Sequence, residues 1–511
     1  MSEHMIAKVR TAVLHGIDAV EVTVETSIHG GSPYFALVGL PDAAVKESGE
    51  RVKCAIRDSA FEFPPRNIII SLAPADLRKE GPALDLPIAV AILGASGQVP
   101  MDALDETMIA GELGLDGLIR PIPGAVNMAL YCQAHGIKRI ILPEDSAPEA
   151  TVATDVDVYG VTHLRDVVEI LQDPGVRDPL QRGELTTNQT PEYDTDFSDV
   201  KGQSLAKRAL EIAAAGGHNV IMVGSPGSGK TMLARRLPTI LPPLSTDEAI
   251  EVTRIYSSAG MMAGRKGLIW ERPFRSPHHS ASHAAIVGGG KFPRPGQVSL
   301  AHHGVLFLDE MPEFDRNVLE GLRQPLEDGV VSVARVQAAL DFPAELILVG
   351  AMNPCPCGYH GDREKKCSCT PEAIRRYMGR ISGPLVDRID LYIEVPRLTQ
   401  DELLSAKPGE SSAEVLERVV KARQMQHERL GSNRTNAKMS TRELRELIPL
   451  TDSQKDIMRG IASRMNISAR VFDRLLKVAR TIADLEMSST VEDRHLMEAV
   501  QYRERYGLSN A

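Results

Sequence analysis

The sequence predicts an α/β chain organised around a parallel sheet, with an α+β segment ahead of it and an all-helical segment behind it. Three observations carry this reading. The middle of the chain alternates helical patterns with near-continuous apolar runs, NVIMVG at 219–224, GVLFLDE at 304–310 and ELILVGA at 345–351, as do parallel strands covered on both faces. The first part mixes short β-branched runs with apolar helical ones. The last part is rich in Ala, Leu, Glu, Lys and Arg at helical spacing.

Along the chain, Asn67–Leu72 and Arg139–Leu142 read as buried strands, and Ala83–Leu93 as an apolar core helix. From Pro174 to Thr195 the chain is polar, rich in Pro, Gly and Thr, and lacks apolar periodicity, as an exposed connector does. A second break comes after LYIEVP, where TQDELLSAKPGESS begins. The predicted domains are 1–173, a linker at 174–195, 196–396 and 397–511, in keeping with the roughly 100–200 residues of a typical domain. Ser440-Thr441-Arg442-Glu443 is a capping box that opens a helix in the last segment.

The formal net charge of −10 excludes a wholly basic nucleic-acid coat, so any nucleic-acid contact must be local. The start, MSEHMIAKVR, lacks the apolar stretch of a signal peptide. No apolar run approaches the roughly 18 residues of a membrane span. The expected location is therefore cytoplasmic, without a membrane partner. Six cysteines in 511 residues are no disulfide scaffold.

Gly224-Ser225-Pro226-Gly227-Ser228-Gly229-Lys230-Thr231 fits G-x-x-x-x-G-K-[ST] between an apolar strand and the helical MLARRL. In such a loop backbone N–H groups close around a phosphate, and the helix N-terminus adds a favourable field. Lys230 is then suited to the β- and γ-phosphates of ATP, and Thr231 to Mg²⁺. Asp309 and Glu310 end a second apolar run, where open α/β sheets place their chemistry. Asp309 is suited to hold Mg²⁺ through water, and Glu310 to orient or deprotonate an attacking water. Asn353 ends a third run; it either senses the γ-phosphate and positions water or simply forms an Asn-Pro turn.

These three strand ends resemble those of AAA+ ATPases. FRSPHHSASHAAIVGGG, PGQVSLAHHGVLFLDEMPEF, GAMNPCPCG and RISGPLVDRIDLYIEVP narrow the resemblance to the magnesium-chelatase-like subgroup, and over the whole chain to the ComM/YifB family. The resemblance implies a homo-hexameric ring with ATP at subunit interfaces, and a helical C-terminal lid. It gives Arg388, in Asp387-Arg388-Ile389-Asp390, the role of the arginine that reaches a neighbour's γ-phosphate, with Arg380 as second choice. Arg470 would touch the γ-phosphate from the lid, in cis or in trans, while Arg474, Lys477 and Arg480 read as the solvated face of that helix. Two insertions resemble helicase hairpins. Gly288–Gly296 carries Lys291 and Arg294 in a stretch too rich in Gly and Pro for helix or strand, and 328–343 alternates like a hairpin and presents Arg335. Six copies of such cations make a charged pore for DNA phosphates without a basic protein. Adjacent His278 and His279 read as loop structure or pore lining rather than metal ligands.

Cys355, Cys357, Cys367 and Cys369 form C-x-C…C-x-C, four soft ligands suited to tetrahedral Zn²⁺; reduced thiols or a redox pair are the competing readings. Finally, RKEGPALDLPIAVAIL and GELGLDGLIRPIPGAVNMALYCQAHGIKRIILPED resemble the proteolytic domain of Lon, a ribosomal S5 domain 2-like fold. Where Lon has its nucleophilic Ser and its Lys, this chain has Ala83 and Val126, so no protease activity is expected. Lys79, Arg78 and Arg120 remain as surface cations for a partner or DNA. The family implies an ATP-dependent motor that migrates branches in single-stranded and branched DNA during natural transformation or recombination, alongside recombination or competence proteins. The alternatives are the ATPase subunit of a magnesium chelatase, which on this reading lacks the Lon-like segment, and a protein-remodelling ATPase.

Overall fold

The computed structural model describes residues 6–79, 81–181, 193–262, 265, 267–290, 293–334, 339–362, 364–398, 409–431, 433–465 and 468–503. The chain divides into two compact units, Met1–Asn188 with Thr246–Ile269, and Gln189–Ser245 with Trp270–Ala511. Among the described residues no helix is long and apolar enough to cross a membrane.

The first unit is an α+β layer structure on a seven-stranded sheet. In spatial order its strands are Tyr34–Val38, Asn67–Ala73, Asp18–His29, Ile6–His15, Thr107–Ile109, Arg139–Pro143 and Asp157–Val161. Ile6–His15 is antiparallel to Asp18–His29, while the last three strands run parallel to one another. Asp85–Ala95 is apolar all round and is buried at every position, as such a helix must be. Asp85 is tolerated in its first turn because Arg51 donates to both carboxylate oxygens, at 2.8 and 3.0 Å.

A helix from the middle of the chain belongs to this unit. Thr246–Ser258 lies beside Ala125–His135, where Gly124 N donates to Ser257 O at 3.0 Å and Asn127 Nδ2 to Arg254 O at 3.3 Å. In the chain 246–269 falls within the predicted 196–396 segment, and its packing on the first unit leaves no trace in its own pattern. Lys79 also departs from expectation. It is fully buried, with Nζ donating to Pro74 O, so it presents no charge to a partner. Arg120 is exposed and pairs with Glu112 at 3.3 Å.

In the second unit the parallel sheet is as the apolar runs predict. Its order is Phe274–Arg275, Val305–Leu308, Ile347–Met352, Val220–Val223 and Leu391–Glu394, all parallel. The central strands are buried at every residue because helices cover both faces. One apolar cluster joins sheet residues such as Val220, Phe307 and Val349 to Val415, Leu475 and Leu496 of the C-terminal helices, so the helical segment shares the core of the sheet. Those helices include Ser412–Leu430, Thr441–Leu447, Asp452–Met465, Ala469–Leu485 and Asp493–Gln501. The capping box at Ser440 is formed, with Ser440 N donating to Glu443 Oε2 at 2.8 Å and Glu443 N to Ser440 Oγ at 3.3 Å. Parts of both sequence breaks, 182–192 and 399–408, lie outside the described residues.

Candidate nucleotide site and cysteine cluster

Val220–Val223 delivers its C-terminal end into the loop 224–229, and Lys230–Arg236 starts as a helix directly after it. The loop needs glycine at defined places. At Gly224 a Cβ would lie 2.3 Å from Val395 O, and Gly227 and Gly229 have φ of +80° and +94°. Gln203 braces the loop from below, donating to Ser228 O at 3.4 Å and to Pro396 O at 2.6 Å. Lys230 folds back into this cradle. Its Nζ donates to Gly224 O at 2.6 Å and Ser225 O at 3.1 Å, with Ser228 Oγ at 3.4 Å. Burial lowers the Lys230 pKa, and the nearby Asp309 and Glu310 carboxylates work against that shift.

Asp309 and Glu310 come directly after the neighbouring strand Val305–Leu308. Thr231 Oγ1 donates to Asp309 Oδ2 at 2.9 Å, so the hydroxyl and the carboxylate are already adjacent. That is the hard oxygen donor set Mg²⁺ requires, and a buried lysine beside it suits a triphosphate. These residues therefore fit ATP with Mg²⁺. Glu310 has φ +50°, unusual for a residue with a Cβ, and its carboxylate is exposed. His279 Nδ1 lies 3.7 Å from Glu310 Oε2. Sequence reading misses this pairing, because His279 and Glu310 are distant in the chain and neither position carries a local signal for the other. His278 stays loop structure, with Nδ1 2.8 Å from Ser280 Oγ. Asn353 comes just after Ile347–Met352, and its backbone hydrogen-bonds the buried Tyr377 phenol, whose pKa burial pushes up to about 12.

The two arginine candidates are held differently. Arg388 is only 7% exposed; its guanidinium pairs with Glu327 and donates to Pro384 O at 2.7 Å. Arg380 is half exposed and pairs with Glu313 at 2.6 Å. Arg470 is exposed in the first turn of Ala469–Leu485. The expected solvated face of that helix is wrong. Arg474 donates to the buried Asp390 at 2.5 Å, Lys477 Nζ to Ala437 O at 2.9 Å, and Arg480 is buried against Asp484 at 3.0 Å. Charges at helical spacing look solvated until the burial of their acceptors, on the same helix for Arg480 and on other segments for Arg474 and Lys477, is known. Asp390 also accepts from Asn219 N at 3.0 Å and lies 3.5 Å from His218 Nδ1. Burial would raise its carboxyl, but Arg474 and His218 hold it well below the usual carboxylate range.

Of the cations expected on the hairpins, Lys291 and Arg335 lie outside the described residues, as does Phe292. Arg294 is exposed. The Gly- and Pro-rich stretch does pair, against expectation: Gly288–Gly289 is antiparallel to Arg294–Pro295, since two residues a side suffice for a tight ribbon that glycine can enter. Val330–Ala334 and Ala339–Pro343 form the second hairpin.

The four cysteine sulfurs lie within 4.8 Å of one another. Cys355 Sγ is 3.3 Å from Cys357 Sγ and 3.6 Å from Cys367 Sγ, and Cys357 is 3.6 Å from Cys367. Zn–S bonds of about 2.3 Å place tetrahedral sulfurs about 3.8 Å apart, whereas a disulfide needs about 2.05 Å. The cluster fits Zn²⁺. Backbone N–H groups of Tyr359 and Ser368 favour the Cys357 thiolate and bring its pKa down to about 5.

Three family models match the chain: "Magnesium chelatase, subunit ChlI" over residues 196–403, "Subunit ChlI of Mg-chelatase" over 24–146, and "Magnesium chelatase, subunit ChlI C-terminal" over 409–503. The match at 24–146 carries a chelatase description, so the first segment does not set this chain apart from chelatase subunits as the sequence alone suggests. The chain is 44% identical to YifB of Escherichia coli K12 over 498 residues, covering 97% of this chain and 96% of that protein. It is 43% identical to competence protein ComM of Haemophilus influenzae over 493 residues, covering 96% and 95%. Its similarity to a peroxisomal Lon protease homologue of Spinacia oleracea is 30% over 132 residues, 24% of this chain and 15% of that protein.

Proposed function

This chain belongs to the ComM/YifB family of magnesium-chelatase-like proteins, and on that premise we propose that it is an AAA+ ATPase coupling ATP hydrolysis to movement along DNA. It works as a homo-hexameric cytoplasmic ring on single-stranded and branched DNA, promoting branch migration when incoming DNA is integrated in transformation or recombination. The observation that carries the reading is the cluster of Lys230, Thr231 with Asp309, and Glu310 at the ends of parallel strands. Lys230 leaves its loop carbonyls for the β- and γ-phosphates. Thr231 and Asp309 would hold Mg²⁺, which when bound offsets charge on the phosphates. Glu310 orients and deprotonates the attacking water, and Asn353 positions it.

Arg380 and Arg388 are the candidates for a neighbour's site, and Arg470 for the γ-phosphate. Arg380 is the readier of the two, because it is half exposed on Glu313 while Arg388 is buried on Glu327. Lys291, Arg294 and Arg335 line the pore and track DNA phosphates. The cysteine cluster holds a structural zinc with no open position for catalysis. The first unit serves assembly or partner binding and cuts no peptide. Support for DNA as the track comes from the near-full-length similarity to a competence protein.

A chelation role for the same ATPase is the second reading, favoured by the description of all three family matches. The two separate on one measurement, ATP hydrolysis with and without DNA. A motor on DNA hydrolyses several-fold faster with single-stranded or forked DNA, and loses that stimulation at high salt. A rate indifferent to DNA contradicts the proposal and favours chelation or protein remodelling.

A further inference from the structure

We propose that the cysteine loop clamps the phosphate loop, so that metal occupancy at Cys355, Cys357, Cys367 and Cys369 sets how tightly the second unit holds a nucleoside triphosphate. The inference rests on the nucleotide and zinc readings above and joins them. Gly358, next to Cys357, lies against the phosphate loop: a Cβ there would be 2.7 Å from Pro226 Cδ and 2.8 Å from Pro226 Cγ. Asp362, between Cys357 and Cys367, accepts from Glu364 N and Lys365 N at 2.9 Å each, and the Ser225 side chain lies near enough to favour its ionised form. These donors, Ser225 first, hold its carboxyl down at about 2, so it is ionised at neutral pH. Ser225 is buried, and its carbonyl accepts from Lys230 Nζ at 3.1 Å. The cysteine loop thus meets the phosphate loop at Pro226 and at Ser225, and Ser225 O in turn accepts from the ammonium that meets the phosphates.

Beyond the cysteines, Arg397 Nη1 lies 3.9 Å from Glu364 Oε2 on this loop, and Lys365 Nζ donates to the Tyr359 hydroxyl at 3.4 Å. Its one ring contact among the described residues is Lys365 Nζ over Tyr359, at 4.9 Å from the ring centre. Metal bridging Cys357 to Cys367 closes the loop that carries Asp362 and removes most of its freedom. Without the metal, Asp362 and Gly358 are no longer held against Ser225 and Pro226. The phosphate loop must then be ordered at the expense of nucleotide affinity. Asp362 and Gly358 act here as positioning residues; they touch the loop, not the phosphates.

The test is calorimetric titration of full-length protein with ATPγS and Mg²⁺, with zinc counted by atomic emission and melting temperature recorded. Asp362→Ala should keep one zinc per chain and its melting temperature, yet bind ATPγS about tenfold more weakly, the scale of one lost polar interaction with an ionised group. Asp362→Asn, which keeps an acceptor, should recover part of that loss. Stripping zinc with a chelator should weaken binding at least as much, and adding zinc back should restore it. Asp362→Ala should add nothing in the stripped protein. Unchanged affinity in Asp362→Ala with zinc in place overturns the clamp while leaving the zinc reading intact. Stripped wild type that still binds ATPγS tightly overturns the metal dependence, and wild type purified without any zinc overturns the zinc reading. If Lys230→Ala binds ATPγS as wild type does, the nucleotide-site reading is what fails.

Discussion

Glycine opens a helix in both units: Gly229 ahead of Lys230, with φ +94°, and Gly124 ahead of Val126, with φ +85°. The side chains that the two helices then present are unlike. Lys230 is 8% exposed, yet its ammonium is ringed by loop oxygens and faces two carboxylates. Val126 is 0% exposed, in a helix whose Ala125, Met128 and Ala129 join an apolar cluster. Burying a charge is costly unless acceptors are built around it, so a buried lysine kept in such a cage marks retained chemistry. A valine where a base is expected marks a fold kept without it. One chain thus holds a caged lysine in one unit and a buried valine in the other.

The comparison breaks first at Lys230. Lys230→Ala should lower ATP hydrolysis about 10³-fold with little change in melting temperature, because the side chain serves phosphate and not the core. Phosphate release within tenfold of wild type would remove the asymmetry. Glu310→Gln should lose about 10²-fold in turnover while still binding ATPγS, a split read by pairing turnover with titration.

In the first unit the converse holds. Val126→Lys forces an ammonium into hydrocarbon and should cost about 3–5 kcal/mol, seen in calorimetry as a lowered transition. Ala83→Ser with Val126→Lys should still leave casein intact, since a peptidase site also needs a cage to hold its charges. Casein cleavage by wild type or by this pair would overturn that account.

The two units should also respond oppositely to acid. Asp390 is depressed in the fold, so its stabilising pair with Arg474 is fully present above the unfolded carboxylate range, about pH 4, and is lost as pH falls below it. Asp390→Asn should cost about 3 kcal/mol near neutrality. Glu149 in the first unit is raised by burial to about 7 from 4.5, so stability falls as pH climbs through that window, by about 3 kcal/mol in all. Glu149→Gln should flatten this slope. Melting curves from pH 3 to 8 check both signs.

How legible each part of the molecule is in the sequence depends on how local it is. The phosphate loop, the Asp309-Glu310 strand end and the four cysteines each lie in one short stretch whose spacing is itself the geometry. The buried sheet is legible because its strands are apolar throughout. Long-range polar pairs are not. Nothing around Ser225 points to Asp362, nothing around Glu310 to His279, and nothing around Arg474 to Asp390. Arg388 is the sharpest case: its motif suggests an outward reach, while Glu327, supplied by a separate helix, holds it inside. The packing of helix 246–258 is hidden for the same reason, since its partner face lies in Ala125–His135.

A motor on DNA should drive migration of a labelled three- or four-stranded junction with ATP, measured for wild type beside Lys230→Ala. Branch movement should require both ATP and wild-type Lys230. Robust ATP hydrolysis by wild type on the same junction, with the strands left where they began, would contradict it.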